Sequence, residues 1–285
     1  KESGFCNRTI HQRNPITMED IRIFCENDGK SYSFPMGTDL KTISDRICPT
    51  VACKRTECET DVLAALVDNQ LKELSFKALT THNVRFIGYD HPDGRRTYIR
   101  SLCFVLQNVI REMYPDKVLA IDYSLPSGLY CEIREKDELY DGRPKVYFAT
   151  DDEIEKIQNR MKEIIQSDLP FKKTKQTLED AVKLFESNGQ KEKVNLARSL
   201  GRISYSVYLL DGQADTFHGP LTPSTGYLKT FDLSGFNNGF CLQYPMDGSY
   251  GKVLPLKRQS KLAGALKEHS DWCALMGVKG VGSLN

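Results

Sequence analysis

The pattern of apolar and polar positions divides the chain into short strands and amphipathic helices from about residue 18 onward. Ile21, Phe24 and their apolar neighbours predict a strand, Asn27-Asp28-Gly29-Lys30 a hairpin turn, and Ser31 to Phe34 the return strand. Thr38 is placed to cap a helix starting at Asp39, because Leu40, Ile43 and Ile47 recur three and four apart until Pro49 stops it. Leu63 to Val67 reads as a strand, Asp68-Asn69-Gln70 as its turn and Val84 to Ile87 as a last strand. This order predicts a small mixed roll of the ubiquitin-like type, ahead of the connection Tyr89-Asp90-His91-Pro92-Asp93-Gly94.

A longer periodic pattern follows. Thr97 to Met113 is expected to be a helix with Leu102, Val105, Leu106, Val109, Ile110 and Met113 inward, ended by Tyr114-Pro115. Val118 to Ile121, Gly128 to Ile133 and Val146 to Phe148 predict strands. Asp151 or Asp152 is expected to cap a helix running to about Ser167 on the stripe Ile154, Ile157, Met161, Ile164 and Ile165. Thr177 and Asp180 form a capping pattern before Ala181, Leu184 and Phe185, and Glu192 to Ser199 predicts another helix. Between the apolar run Ile203 to Leu210 and the mixed run Tyr227 to Leu233 lies Asp215 to Gly226, with two prolines, two glycines and several hydroxyls. That composition predicts a tight, locally hydrogen-bonded loop between strands. Gly239 to Leu242 is expected to close a sheet, and Leu262 to Trp272 to form a short helix able to contact a partner.

Composition narrows the class without naming a function. With 285 residues, 40% apolar and 27% charged, the chain suits a soluble globular protein of two or three domains, and a net charge of +1 gives no global pull toward nucleic acid or membranes. No apolar run reaches the length of a membrane span, so the cytoplasm is the expected compartment. Nine cysteines contain no C-x-x-C pair, and the five-residue steps of Cys48, Cys53 and Cys58 do not match zinc-knuckle spacing. Free thiols are expected. Gly29-Lys30-Ser31 and Gly251-Lys252 lack the earlier glycine of a phosphate-binding loop, and Gly277 to Gly282 reads as a turn or linker.

Three stretches resemble known families. The opening hairpin and helix with Ala65-Leu66-Val67-Asp68-Asn69-Gln70-Leu71-Lys72-Glu73-Leu74 resemble the TGS domain found in threonyl-tRNA synthetases. Arg100 to Leu106, Gly128 to Ile133 and the run from the Asp152 helix through Asp168-Leu169-Pro170-Phe171 to Phe185 are similar to the second additional domain of threonyl- and alanyl-tRNA synthetases. The resemblance implies an α+β chain: a lead-in over 1–17, a TGS-like β-grasp domain over 18–90, an editing-like domain over 91–248 and a C-terminal extension over 249–285. In the editing enzymes it implies a metal-type constellation of a helical histidine pair with a cysteine and a histidine from a glycine-proline loop. It removes wrongly attached amino acids from tRNA. The matching positions here are Arg100, Phe104, Phe217 and Leu221. None offers the lone pair that a metal requires, so the resemblance implies a scaffold without its metal site.

The arrangement also resembles Bacteroides-type uridine or nucleoside kinase-like proteins, with Asp271 to Asn285 similar to the junction before their kinase domain. On that resemblance, ATP and magnesium belong to a kinase domain downstream in cis, and no cofactor to this stretch. The main expectation is a non-catalytic regulatory, assembly or ligand-binding region. The alternative is an RNA-, tRNA- or nucleotide-binding module using Arg100 and the 215–226 loop, and a residual editing hydrolase is the minor one; homo-oligomerisation is left open. Arg100, Ser101, His218, Gly219, Thr222, Ser224 and Thr225 are the candidate ligand-binding residues. An internal salt bridge of Arg100 is weighed against that role. Arg95, Arg96, Lys252, Lys257, Arg258, Lys261 and Lys267 are candidates for a basic RNA-facing surface, with Tyr227, Phe231, Phe236, Phe240 and Tyr244 for base stacking. A Cys103–His218 nucleophilic pair near Asp215 and Thr216 would require the two side chains within hydrogen-bond reach.

Overall fold

The computed structural model describes residues 20–52, 59–140, 143–188, 190–200, 204–246, 251–257 and 260–276. The expected lead-in, Cys53, Cys58, Arg258, the side chain of Lys267 and the 277–285 part of the proposed junction lie outside the described residues.

The first unit comprises β1 (Asp20–Cys25), β2 (Lys30–Pro35), α1 (Leu40–Ile47), β3 (Thr50–Ala52), β4 (Glu59–Asp61), β5 (Ala64–Val67), β6 (Gln70–Lys72) and β7 (His82–Ile87). Its main sheet runs β2-β1-β7-β5-β6, with β1 and β7 parallel. The β1–β2 turn closes with Gly29 at φ 71° and with Asp28 accepting from Lys30 N, at 3.0 Å, and from the Tyr32 hydroxyl. Asp68 and Asn69 supply the positive φ of the β5–β6 turn. The cap of α1 falls one residue later than expected: Asp39 accepts from Thr42 N at 2.8 Å, while the Thr38 hydroxyl donates backwards to Pro35 O. Leu40 and Ile43 pack on Ile23, Val67, Val84 and Phe86, each such burial being worth about 1.5–3 kcal/mol.

The second part begins with α2 (Pro92–Met113), followed by β8 (Lys117–Leu125), β9 (Gly128–Tyr140), β10 (Arg143–Tyr147), α3 (Asp151–Gln166), β11 (Lys172–Thr177), α4 (Leu178–Ser187) and α5 (Lys191–Leu200). Then come β12 (Ser204–Leu210), β13 (Gln213–Asp215), a 3-10 turn at Thr225–Tyr227, β14 (Asp232–Phe236), β15 (Gly239–Gln243) and α6 (Ser260–Leu275). Strands β10-β9-β15-β14, with β8 on the other side of β9, form one sheet, on which α2 and α3 bury their apolar stripes. A smaller sheet, β11-β12-β13, is backed by α4 and α5 through Phe185, Val194, Ala197 and Val207.

Several boundaries differ from the sequence expectation for identifiable reasons. Helix α2 starts at Pro92 rather than Thr97, because proline suits the first helical turn and His91 Nδ1 accepts from Asp93 N. Helix α3 is capped by Thr150, in a reciprocal capping box with Glu153, rather than by Asp151 or Asp152. Strand β11 was not expected, since Lys172 to Thr177 carries no apolar side chain; it gains its place by pairing in full with β12. Most of the run Tyr227 to Leu233 is turn and loop, and the strand starts only at Asp232.

The two parts are joined by specific polar contacts. Tyr208 Oη donates to Glu73 at 2.9 Å, Lys173 Nζ pairs with the same carboxylate at 2.9 Å, and Lys229 reaches Asp61 at 3.0 Å. Tyr89 Oη donates to Pro245 O and sits edge-on to Tyr98. None of the α6 side chains whose placement is described is buried, and Trp272 and Leu275 are exposed.

Candidate functional site

The turn at Asp211 and Gly212, with φ 47° and 76°, reverses β12 into β13 and delivers the chain to Asp215. Asp215 is fully buried, so its carboxyl group needs polar partners. Its carboxylate takes Arg111 Nη2 at 3.1 Å, Gln190 Nε2 at 3.3 Å, Thr216 N at 2.6 Å and the Lys193 ammonium. One carboxylate therefore ties α2, α5 and the start of the loop together. Thr216 Oγ1 then donates to Ser206 O at 3.0 Å, fixing the loop against β12.

Beyond this anchor the loop folds over α2. Gly219 has φ 130°, and a Cβ there would lie 2.9 Å from Arg100 Cζ, so only glycine admits the guanidinium so close. Arg100 Nε donates to Pro220 O at 3.1 Å and Nη2 to Thr97 Oγ1 at 3.1 Å. The weighed salt bridge is not formed, since Arg100 takes part in none of the ion pairs of the described residues, and burial depresses its pKa. The loop's hydroxyls are engaged internally. Ser101 Oγ accepts from Thr222 N at 2.8 Å, Thr222 Oγ1 donates to Ser224 O, and Ser224 Oγ donates to Asp168. Thr225 Oγ1 donates to Ile164 O and accepts from Leu169 N. Ser101, Thr222 and Thr225 are buried, whereas His218 is exposed.

Three of the four positions matched to the metal ligands converge as core, while Arg100 is held by the loop carbonyl and Thr97. Phe104 and Leu221 are buried, and Phe104 lies 5.2 Å from Phe217 and 5.9 Å from Phe171, centroid to centroid. Phe217 in turn meets Tyr208 edge-on at 6.2 Å. Among the described residues no group of three or more histidine, cysteine or acidic side chains is placed to hold a metal. No hydrogen bond joins Cys103 to His218 among the described residues, which removes the geometry a Cys–His nucleophile requires. Cys103 keeps a little surface, but its thiol lies among core side chains and burial pushes its pKa up to about 12. Iodoacetamide at pH 8 is accordingly expected to leave Cys103 unmodified in the folded protein and to alkylate it after unfolding, as read by peptide mapping. Native alkylation of Cys103 would contradict this burial.

In front of the loop lies a cleft of about 890 Å³ between the two parts of the chain. Its walls are the segment after β6 with Glu73 and Phe76, strand β11 with Lys173 and Lys175, helix α5 with Lys193, and the loop from Thr216 to Pro220. Lys72, Lys173, Lys175 and Lys193 line it with Glu73 as the one lining carboxylate among the described residues, making the lining cationic, and His218 lines it too. Tyr208 sits beneath Lys173, whose Nζ lies 5.4 Å from the ring centroid, and burial followed by the Glu73 charge raises the tyrosine pKa. Arg100 is not among the lining residues; it stands behind the loop and supports it. The expected basic and stacking residues are elsewhere. Arg96 pairs with Asp93, Phe236, Phe240 and Tyr244 are buried, and Tyr227 and Phe231 pack on the core. Lys173, Lys175 and Lys193 are not among the residues the sequence singles out; the lysine-rich run Lys172-Lys173-Thr174-Lys175 is the signal it carries for them.

No family model matches the chain. Its similarity is to threonine–tRNA ligases: 28% identity over 201 residues to that of Carboxydothermus hydrogenoformans, covering 70% of this chain and 29% of the relative. The Acetivibrio thermocellus enzyme is 28% identical over 207 residues, 72% of this chain and 30% of the relative, and a Francisella tularensis enzyme 24% over 207 residues, 73% and 30%. The chain spans under a third of the length of these curated relatives. The mixed α/β topology is consistent with a threonine–tRNA ligase-related fold, and no described helix is long and apolar enough to cross a membrane.

Proposed function

We propose that this chain is a binding module for tRNA-type RNA that does not edit it. The carrying observation is the lysine-lined cleft beside the 215–226 loop, on a chain similar to threonine–tRNA ligases over about 70% of its length. Phosphates supply a partner for Lys175, which is in no ion pair among the described residues, whereas Lys173 and Lys193 are matched to Glu73 and Asp215. The internal hydrogen bonds of Arg100, Ser101, Thr222 and Thr225 give these residues a positioning role: they hold the loop that shapes the cleft, while His218 and Gly219 line it. The TGS-like identity of the first unit, and the place of the chain in a nucleoside kinase-like protein using ATP and magnesium, rest on sequence resemblance alone.

Fluorescence anisotropy with labelled intact tRNA tests the reading. Lys175→Glu is expected to weaken binding by about 10-fold at 0.1 M salt and to flatten the log–log salt dependence by roughly one unit or more. Zinc is expected to leave both binding and the lifetime of aminoacyl-tRNA unchanged. No saturable tRNA binding, or zinc-dependent deacylation, would overturn the proposal.

A further inference from the structure

Resting on the RNA-binding reading of the same cleft, we propose that it seats a nucleoside phosphate unit, with the base stacked on Phe217 and the phosphate held at Lys175. Six rings line the cleft: Phe76, Phe185, Tyr205, Tyr208, Phe217 and His218. Phe185, Tyr205 and Tyr208 are buried, and the Tyr205 hydroxyl is engaged with Ala197 O. Phe76 is already covered by Lys72, 5.5 Å from its centroid, and by the edge of His82. Phe217 is the half-buried benzene ring that remains, next to the exposed imidazole of His218.

The ring is also held firmly. Phe104 supports it from the core, Tyr208 meets it edge-on, and its neighbours Asp215 and Thr216 are tied to α2, α5 and β12. A ring fixed in advance loses little rotamer freedom when a base stacks on it, which favours binding. The position that could have held a metal ligand thus carries an apolar platform on the same loop.

Lys175 lies at a distance suited to the other end of a nucleotide. It is opposite Ser206 in the β11–β12 ladder, and Ser206 O accepts from Thr216, the residue before Phe217. One interstrand step and the Thr216 side-chain bond separate the backbones of Lys175 and Phe217, a span on the order of 10 Å. Lys175 is exposed and takes part in no ion pair among the described residues, whereas Lys173 is matched to Glu73 and Lys193 to Asp215. The cation outside any ion pair and the half-buried ring therefore both line the cleft, and a volume of about 890 Å³ admits a nucleotide with room for its neighbours.

The same unit could come from the end of an RNA strand or from a free nucleotide, and the two sources are separated by probe. Binding of a labelled single-stranded RNA dodecamer, intact tRNA, AMP and UMP would be measured for the whole chain and for Phe217→Leu, Phe217→Trp and Lys175→Ala. Phe217→Leu keeps an apolar side chain against Phe104 but removes the π face; it is expected to weaken the bound probe by about 10-fold. Phe217→Trp is expected to retain binding, and its indole fluorescence to be quenched by the probe, against an unquenched signal from exposed Trp272. Unfolding midpoints would show that each variant is folded. RNA binding that is equal in wild type and Phe217→Leu overturns the platform and leaves the RNA reading standing. AMP or UMP binding that depends on Phe217, without RNA binding, supports the platform and removes the RNA reading. Failure of every probe to bind wild type removes both.

Discussion

Asp215→Ala is expected to destabilise the protein by about 3–5 kcal/mol, measured as the loss of unfolding free energy in urea. The carboxylate is fully buried, and its removal leaves Arg111, itself largely buried with a pKa depressed by desolvation, bonded only to Ala214 O at 3.3 Å. Lys193 is 30% exposed and can turn to water, so the cost concentrates on the arginine. Arg111→Met combined with Asp215→Leu removes both buried charges and is expected to lose less than Asp215→Ala alone. A loss below about 1 kcal/mol for Asp215→Ala would mean that the cluster is hydrated and that the loop start is not anchored as described. RNA binding should fall with it, because α5 and the loop are two walls of the cleft.

Phe104→Ala is expected to cost about 3–5 kcal/mol, since it opens a cavity between Phe171 and Phe217 in the main core. Phe104→His tests the same place chemically. It returns the residue type that the synthetase resemblance implies there, but between the Phe171 and Phe217 rings, which offer its ring nitrogens no hydrogen-bond partner. Leaving one unsatisfied is expected to cost about 1–3 kcal/mol. Thermal or urea unfolding with and without zinc reads both effects, and zinc is expected to restore neither. Stabilisation of Phe104→His by zinc would show that further ligands lie within reach and would overturn the account of a filled core.

The sequence alone was informative where the cause was local. The hairpin at Asn27 to Lys30 follows from Asp28 and Gly29, and the stripe Ile154 to Ile165 could only be a buried helix face. The caps lie about one residue from the places the sequence predicts, because Thr38 and Asp39, or Thr150 and Asp151, can each accept an N-cap hydrogen bond until backbone geometry chooses between them. Helix α2 starts earlier than its apolar periodicity predicts because His91 caps it and Pro92 is its first residue, both of which resemble loop in sequence. Strand β11 escaped notice, since nothing in a run of lysines and threonines marks a strand except the neighbour that pairs with it.

The absence of metal-ligand atoms at Arg100, Phe104, Phe217 and Leu221 was determined by residue type, because no folding can give phenylalanine or leucine a lone pair. What replaces the ligands was decided only in three dimensions. Arg100 faces a carbonyl and a hydroxyl instead of a carboxylate because the Gly219 turn brings Pro220 O to it. The lysines of β11 and α5, far apart in the chain, share a cleft with Phe217 because β12 lies between them and Asp215 ties α5 to the loop. Charge and ring content belong to the sequence, but a site requires that they face the same space, and that is a property of strand pairing and buried ion pairs.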